Sequence, residues 1–361
     1  MDVTLILFLH GEENAIGGME EHGLAMAKWV NKKGIKNAIV HTLFDENGRV
    51  IFHVNGQQRL SLRELKSQID ATILFHNSGH LIEHFKELKA AFPNAIQVYR
   101  TGGNEVLQAS LQANIEQHGL RQKFWVNSIN ESVDILVTNS AFTERRYRDL
   151  GISPRIFLRA VGGTSKPIPS TRKTNPNIGL NLFCAARFVA YKNHFKLIDL
   201  VKDLIQNGLN VKLRLAGDGP LFEQVKDYVS EHGLDRNIQF LGAITPDQVS
   251  TIISDSDVYV QMSIDEERLV QGGSYIHTEG MGRSILAAIG SGTWIIAGNA
   301  GAIPEIVHGT RGVIVDPNHV EEARIALFDW INVGCPKPSP TNEYCWDNYF
   351  QKYNTFLGDQ K

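Results

Sequence analysis

The chain has 361 residues, 42% of them hydrophobic and 21% charged, a composition that excludes a disordered polypeptide and allows two domains of ordinary size. Thirty-six basic against 39 acidic side chains leave a formal net charge of −3, so the overall field gives no case for a nucleic-acid binder, although a local basic pocket is compatible with it. Three cysteines, Cys184, Cys335 and Cys345, show no metal-ligand spacing, and their odd number argues against a disulfide framework, as expected of a cytoplasmic protein.

The first apolar run, Val3 to Leu9, is far shorter than the ~20 residues needed to cross a bilayer. Asp2 precedes it and His10-Gly11-Glu12-Glu13 follow it with no small-residue cleavage site, so it reads as a buried strand and not a signal peptide. Similar runs recur at 71–75, 95–99, 134–138, 180–186, 211–217, 238–242, 257–261, 293–298 and 312–315, with helical spacing between them. Continuous apolar strands belong in parallel sheets covered on both faces by crossover helices, which predicts a doubly wound α/β architecture. The segment 166–177, KPIPSTRKTNPN, has neither periodicity and is expected to link two domains, 1–168 and 176–336, each Rossmann-like and facing the other across a cleft. Past the Pro336-Lys337-Pro338-Ser339-Pro340 break, an aromatic helical stripe at 342–361 is expected to pack back on the first domain.

Doubly wound sheets bind ligands beyond the carboxyl ends of their strands, where helix N-termini offer free amides and a positive dipole end. After the first strand, Gly17 and Gly18 open an amphipathic helix through Leu24, Met26 and Trp29; the pair is either a plain turn or a place where a phosphate or sugar nears the backbone. Its spacing does not match a dinucleotide-binding G-x-G-x-x-G. In the second half, Arg187 and Lys192 stand between a strand and the next helix, placed to clamp a diphosphate, the arginine in a bidentate manner and the lysine as a point charge. At the following strand end Gly217-Asp218-Gly219-Pro220 forms a tight turn that is structural at least and a candidate ligand lining. Glu279 then precedes Gly280-Met281-Gly282 and a helix beginning near Arg283, so that a carboxylate able to accept from sugar hydroxyls adjoins amides bare enough for a phosphate.

Taken in order, ARFVAYKN, RLAGDGP, IQFLG, SDSDVYVQMS, EGMGRSILAAIGSGTWIIA and NAGAIPEIV closely resemble the second domain of the retaining glycosyltransferases of family 4, which have the GT-B fold. Upstream, GGMEEHGLAMAKWVNKKG and VTNSAFTERRYRDLGI resemble first-domain elements of that family, and WDNYFQKY resembles its returning helix. The resemblance implies transfer of a sugar, with retention of anomeric configuration, from a nucleotide diphosphate donor, most often a UDP-hexose or UDP-N-acetylhexosamine. The acceptor would be a polysaccharide, a glycolipid such as lipopolysaccharide, or a small molecule.

It further implies that Arg187 and Lys192 neutralise the diphosphate, that Glu279 with Gly280 to Gly282 holds the donor sugar, and that Gly17, Gly18, Gly217, Asp218, Gly219, Met281 and Arg283 line the donor. No metal or other cofactor is then required, because fixed cations and amides meet the charge that develops on the leaving oxygen. The sequence departs from the family twice. The usual second Glu, a ribose ligand eight positions on, is Ala287, and in place of a first-domain His the chain reads YRTGGNE, with Thr101 or Gly102 at that position. Arg100, Asn104 or Glu105 is expected to supply a polar group there, and His76, with His80 near it, is expected to touch the acceptor.

Asp255-Ser256-Asp257 has the look of a metal-binding D-x-D but stands at the start of a strand, where a turn role is expected. Arg145, Arg146 and Arg148 read as a solvated helix face ahead of a contact with anionic lipid, so the protein is placed in the cytoplasm, with a peripheral station at the inner face of the plasma membrane as the alternative. The stretch 263–278 is longer than the family's usual connection and reads either as a loop over the donor or as a surface insertion. Two rival functions are a sugar-nucleotide-binding partner subunit without turnover, and a GT-B epimerase or phosphorylase.

Overall fold

The computed structural model describes residues 1–11, 18–54, 58–108, 115–270 and 273–358, and these divide into two compact units. Unit 1 comprises Met1–Val161, Leu269–Tyr275 and Phe350–Lys361; unit 2 comprises Gly162–Arg268 and Ile276–Tyr349. Among the described residues no helix is long and apolar enough to cross a membrane.

Unit 1 is built on an eight-stranded sheet of β1 (Asp2–His10), β2 (Asn37–Phe44), β3 (Val50–Val54), β4 (Gln58–Leu60), β5 (Asp70–His76), β6 (Ile96–Arg100), β7 (Ile135–Thr138) and β8 (Ile156–Arg159), ordered 4-3-2-1-5-6-7-8. From β2 to β8 the neighbours run parallel, while β3 and β4 add an antiparallel edge. The central strand β1 is enclosed from Leu5 to Phe8, as expected of a strand covered on both faces. β2 alternates buried and half-buried residues, so it carries no continuous apolar run and escapes the sequence reading, as does the short β3–β4 edge. The helix Gly18–Lys32 buries Met26 and Trp29, but Leu24, expected on the same stripe, is 46% exposed. Phe350 and Tyr353 of the C-terminal segment pack on Trp29 and Phe75, with ring centroids 5.4 and 5.6 Å apart.

Unit 2 is a six-stranded parallel sheet: β9 (Leu180–Ala185), β10 (Val211–Ala216), β11 (Ile238–Gly242), β12 (Val258–Gln261), then, past a separate two-stranded ribbon of β13 (Glu266–Val270) and β14 (Gly273–His277) whose Leu269–Tyr275 part is counted with unit 1, β15 (Trp294–Gly298) and β16 (Gly312–Val315). The order 11-10-9-12-15-16 reverses between β9 and β12, the topological switch point at which such sheets take ligands. The segment 263–278, read from the sequence either as a loop over the donor or as a surface insertion, is largely this ribbon, and its Gln271 and Gly272 lie outside the described residues.

Asp257 is wholly buried and serves the fold. Its Oδ1 accepts from Arg172 Nε (2.9 Å) and Thr174 Oγ1 (2.7 Å), and its Oδ2 from the Asn181 amide (2.8 Å), while Asp255 pairs with Arg214 (3.2 Å). The D-x-D thus ties the segment that precedes β9 to the sheet.

Candidate functional site

The switch point of unit 2 brings together residues far apart in sequence. A short turn, Ala190–Lys192, follows β9 and ends at Asn193, whose φ of 53° is a left-handed conformation that asparagine tolerates better than most residues. That reversal starts the helix His194–Gln206 and leaves Lys192 at its entrance. Glu279 arrives from the other direction, between the ribbon and the helix Arg283–Ser291. The two side chains form an ion pair, only 11% and 13% exposed.

Both members are ionised for reasons visible in their surroundings. Burial alone would raise the pKa of Glu279, but the Lys192 ammonium and the amides of Gly282 and Met281 hold it below the ordinary carboxylate value. Burial likewise disfavours the charge on Lys192, and the adjacent carboxylate outweighs it, raising the lysine above its usual value. The Gly282 amide, expected to be bare, instead donates to Glu279 Oε1 (3.1 Å). Gly282 has a φ of 77° and begins the helix.

Arg187 is exposed at the end of β9, and its guanidinium has no hydrogen-bond or ion-pair partner among the described residues. The Tyr191 hydroxyl has its pKa raised by burial and feels the charges of Lys192, Glu279 and Arg187 together, which places the three in one electrostatic neighbourhood. Gly217 and Gly219 answer to the Arg187 loop. With φ of 135° and 156°, they lie so close that a Cβ on Gly217 would meet Ala186 O at 2.1 Å and one on Gly219 would meet Phe188 O at 2.6 Å. Phe188 N donates to Asp218 O (3.0 Å), completing the clasp. These glycines therefore have a packing reason of their own beside any contact with a donor. Met281 is buried, with its sulfur accepting from the Gly162 amide (3.5 Å), and Arg283 Nε donates to Gly163 O (3.0 Å) beneath the Trp346 ring. Gly280 stands half-buried between Glu279 and Met281, Gly18 opens the helix of unit 1 after β1, and Gly17 lies outside the described residues.

A polar hollow lined by Asp265, Asn299, Asp316, Pro317, Asn318 and Glu322 opens beyond β12, β15 and β16. Asn193, next after Lys192, reaches its rim by donating to Pro317 O (3.2 Å). Ala287 is half-buried on the helix Arg283–Ser291, and its methyl group offers no acceptor to a hydroxyl pair.

In unit 1 the expected acceptor residues serve internal contacts. His76 is wholly buried, stacked on Phe8 (4.9 Å) and packed on Phe85 (4.5 Å), and burial pushes its pKa down to about 3. It is a neutral core residue of β5, so the contact with an acceptor foreseen for it is not available from this position. Nearby, the His80 ring meets Thr42 Oγ1 and Ser78 Oγ, each at 2.5 Å. Glu105 is committed to the Thr101–Gly103 turn: its carboxylate accepts from the amides of Gly102 (2.5 Å) and Gly103 (2.9 Å) and from Thr101 Oγ1 (2.7 Å). Arg100 is buried beside Met19 Sδ (3.2 Å), and Asn104 Oδ1 accepts from Arg146 (3.3 Å).

Sequence reasoning passed over Tyr259, Gln261 and Ser263, which are all fully buried; Gln261 donates to Glu279 and is itself bonded to Tyr259 and Ser263. Their signal was present, because polar side chains in the middle of an otherwise apolar strand are unusual unless something there satisfies them.

Residues 171–338 match the family model "Glycosyl transferases group 1". Among curated relatives, the GPI3 subunit of phosphatidylinositol N-acetylglucosaminyltransferase from Saccharomyces cerevisiae (strain YJM789) is 21% identical over 49% of this chain and 36% of its own. The putative colanic acid biosynthesis glycosyltransferase WcaL of Salmonella typhimurium is 23% identical over 55% of this chain and 48% of its own. The chain thus spans between about a third and a half of the length of these relatives. In fold, Anabaena Alr3699/HepE, solved with UDP and glucose, superposes with a TM-score of 0.69 at 16% identity, covering 98% of this chain and 99% of that one. The lipopolysaccharide outer core galactosyltransferase WaaB, in its apo form, gives 0.62 at 15% identity, with 98% of each chain covered. Residues 171–338 therefore belong to the glycosyl transferases group 1 family, within a chain whose fold is that of the GT-B glycosyltransferases.

Proposed function

We propose that the protein is a retaining glycosyltransferase whose unit 2 takes a nucleotide diphosphate sugar and whose unit 1 takes the acceptor. The observation that carries this reading is the meeting, at one switch point, of an exposed Arg187, unpartnered among the described residues, with the buried Lys192–Glu279 ion pair. Departure of a nucleoside diphosphate concentrates negative charge on the leaving oxygen. Arg187, Lys192 and the positive end of the helix Arg283–Ser291 are fixed charges that favour that state over the intact donor. Glu279 would accept from hydroxyls of the donor sugar. Arg283, Met281 and the Gly217–Gly219 turn would shape the site from behind, through the contacts each already makes.

UDP is the proposed nucleotide, in keeping with the UDP bound in the Anabaena protein, with a hexose or N-acetylhexosamine as the sugar. The colanic acid and phosphatidylinositol relatives suggest a polysaccharide or glycolipid acceptor. No step in this scheme needs a metal ion, so a chelator should leave turnover unchanged. Ala287 favours one rival, a binding subunit without turnover, because it removes an acceptor for the ribose hydroxyls.

Incubating the purified protein with UDP-, GDP- and ADP-sugars and a broad acceptor pool, then following nucleotide release and product linkage, tests both. Release of UDP with retained anomeric configuration is expected. Binding of UDP-sugar with no release for any acceptor would favour the subunit, and an absence of both would reject the assignment.

A further inference from the structure

Directly beneath the ion pair, β12 sends Tyr259 and Gln261, both 0% exposed, to the same face of the sheet. Every polar atom of the Gln261 amide is used. Its Oε1 lies 3.0 Å from the Tyr259 hydroxyl and 3.2 Å from the Ser284 hydroxyl, while its Nε2 donates to Ser263 Oγ (3.0 Å) and to Glu279 Oε2 (3.3 Å). The amide can point only one way. Two hydroxyls are able to donate to its oxygen, whereas the ionised carboxylate on the other side can only accept, so a flipped amide would set oxygen against oxygen. The Ala185 amide, at the end of the strand from which Arg187 follows, donates to the Tyr259 oxygen (3.4 Å), and Ser284 anchors the network in the first turn of the helix after Glu279.

From this geometry we infer that Gln261 is a positioning residue, holding the Glu279 carboxylate in its working orientation through a buried network that joins β9, β12 and the helix Arg283–Ser291. The donors that hold Glu279 include Lys192, the Gly282 amide and Gln261, each from a different element. Two of them are neutral and committed to the carboxylate. When a diphosphate draws on the charge of Lys192, Gln261 and Gly282 keep the carboxylate in place. The functional half of the inference rests on the reading of unit 2 as the donor site; the structural half, that Gln261 supports the ionised Glu279, does not.

The test uses the full chain and two substitutions, Gln261→Met, which keeps length and removes the donor, and Gln261→Glu, which makes it an acceptor. Melting temperatures of both establish that they fold. Carbon-13 NMR titration of the Glu279 carboxyl, identified by its loss in Glu279→Gln, should show an upward pKa shift in Gln261→Met; an unchanged titration would overturn the inference whether or not the protein has turnover. In kinetics, both variants should lose about ten- to hundred-fold in kcat, with UDP binding changed by less than about threefold, the size expected for a lost hydrogen bond to a charged group. At lower pH a proton shared between residues 261 and 279 restores a donor, so the deficit of Gln261→Glu should narrow between pH 8 and pH 6 while that of Gln261→Met stays constant. Wild-type kcat in both variants, or equal pH-independent losses accompanied by lost UDP binding, would overturn the positioning role. Full donor turnover in Glu279→Gln would instead overturn the reading of the site itself and leave the NMR result standing.

Discussion

Lys192 and Glu279 hold each other in a site from which water is largely excluded, and each is costly there without the other. Replacing Lys192 with Met leaves a buried carboxylate unpaired and should lower stability by about 3–5 kcal/mol, read by denaturant unfolding. The sign of the pH dependence follows from the two shifts. Glu279 is depressed below 4.5, so its contribution is complete above that value and is lost as acid carries the pH down through the folded pKa. Lys192 is raised above 10.5, so its contribution is complete below that value and is lost as alkali carries the pH up through the folded pKa. Arg187 behaves differently because it is exposed and its guanidinium has no partner among the described residues. Arg187→Ala should leave the melting temperature within about a degree and reduce turnover by at least about a hundredfold, as for loss of a preorganised charge. A variant with normal turnover would remove Arg187 from the leaving-group site. These three residues were legible in the sequence because cations and a carboxylate at strand-to-helix junctions have few structural uses. Glu105 and His76 misled for the opposite reason: a polar residue near a strand end can equally well organise a turn or be swallowed by the core.

Among elements, the clasp between the loops after β9 and β10 depends on two glycines. Gly217→Ala would drive a methyl group to 2.1 Å from Ala186 O, so it must displace the Arg187 loop, and both stability and turnover should fall. Two buried neutral histidines, one in each unit, make the elements that hold them acid-sensitive. His76 is brought to about 3 and His194, stacked on Phe188 at 4.1 Å, to about 4, chiefly by burial. As the pH falls below 6.5 the unfolded chain binds protons that the folded chain refuses, so stability should decline progressively toward pH 4. His76→Phe, which removes two unpartnered ring nitrogens, should flatten that decline in melting temperature; an unaltered slope would contradict the burial of a neutral ring. Parallel strands were readable from continuous apolar runs, but the ribbon β13–β14 was not. Its residues Glu266, Glu267 and Arg268 are charged, which leaves no apolar pattern to detect.

For the whole chain, two sheets with different edges explain why the halves were not equally transparent. The six-stranded sheet of unit 2 is wholly parallel, and β9, β10 and β15 each precede a junction whose residues are restricted by close backbone approach or by charge. Unit 1 adds an antiparallel edge and a β6 junction tied up by its own side chains, which gives chemistry fewer positions at which to declare itself. The family match follows the same division, since it spans residues 171–338 while the fold likeness covers 98% of the chain. The most direct test of the account is calorimetric titration of the intact protein and of Arg187→Ala with UDP. Saturable binding by the wild type, weakened at least about tenfold by the substitution, is the predicted result. Equal affinity in the two proteins would contradict a diphosphate site at the β9–β12 switch point, and so would an absence of binding in the wild type.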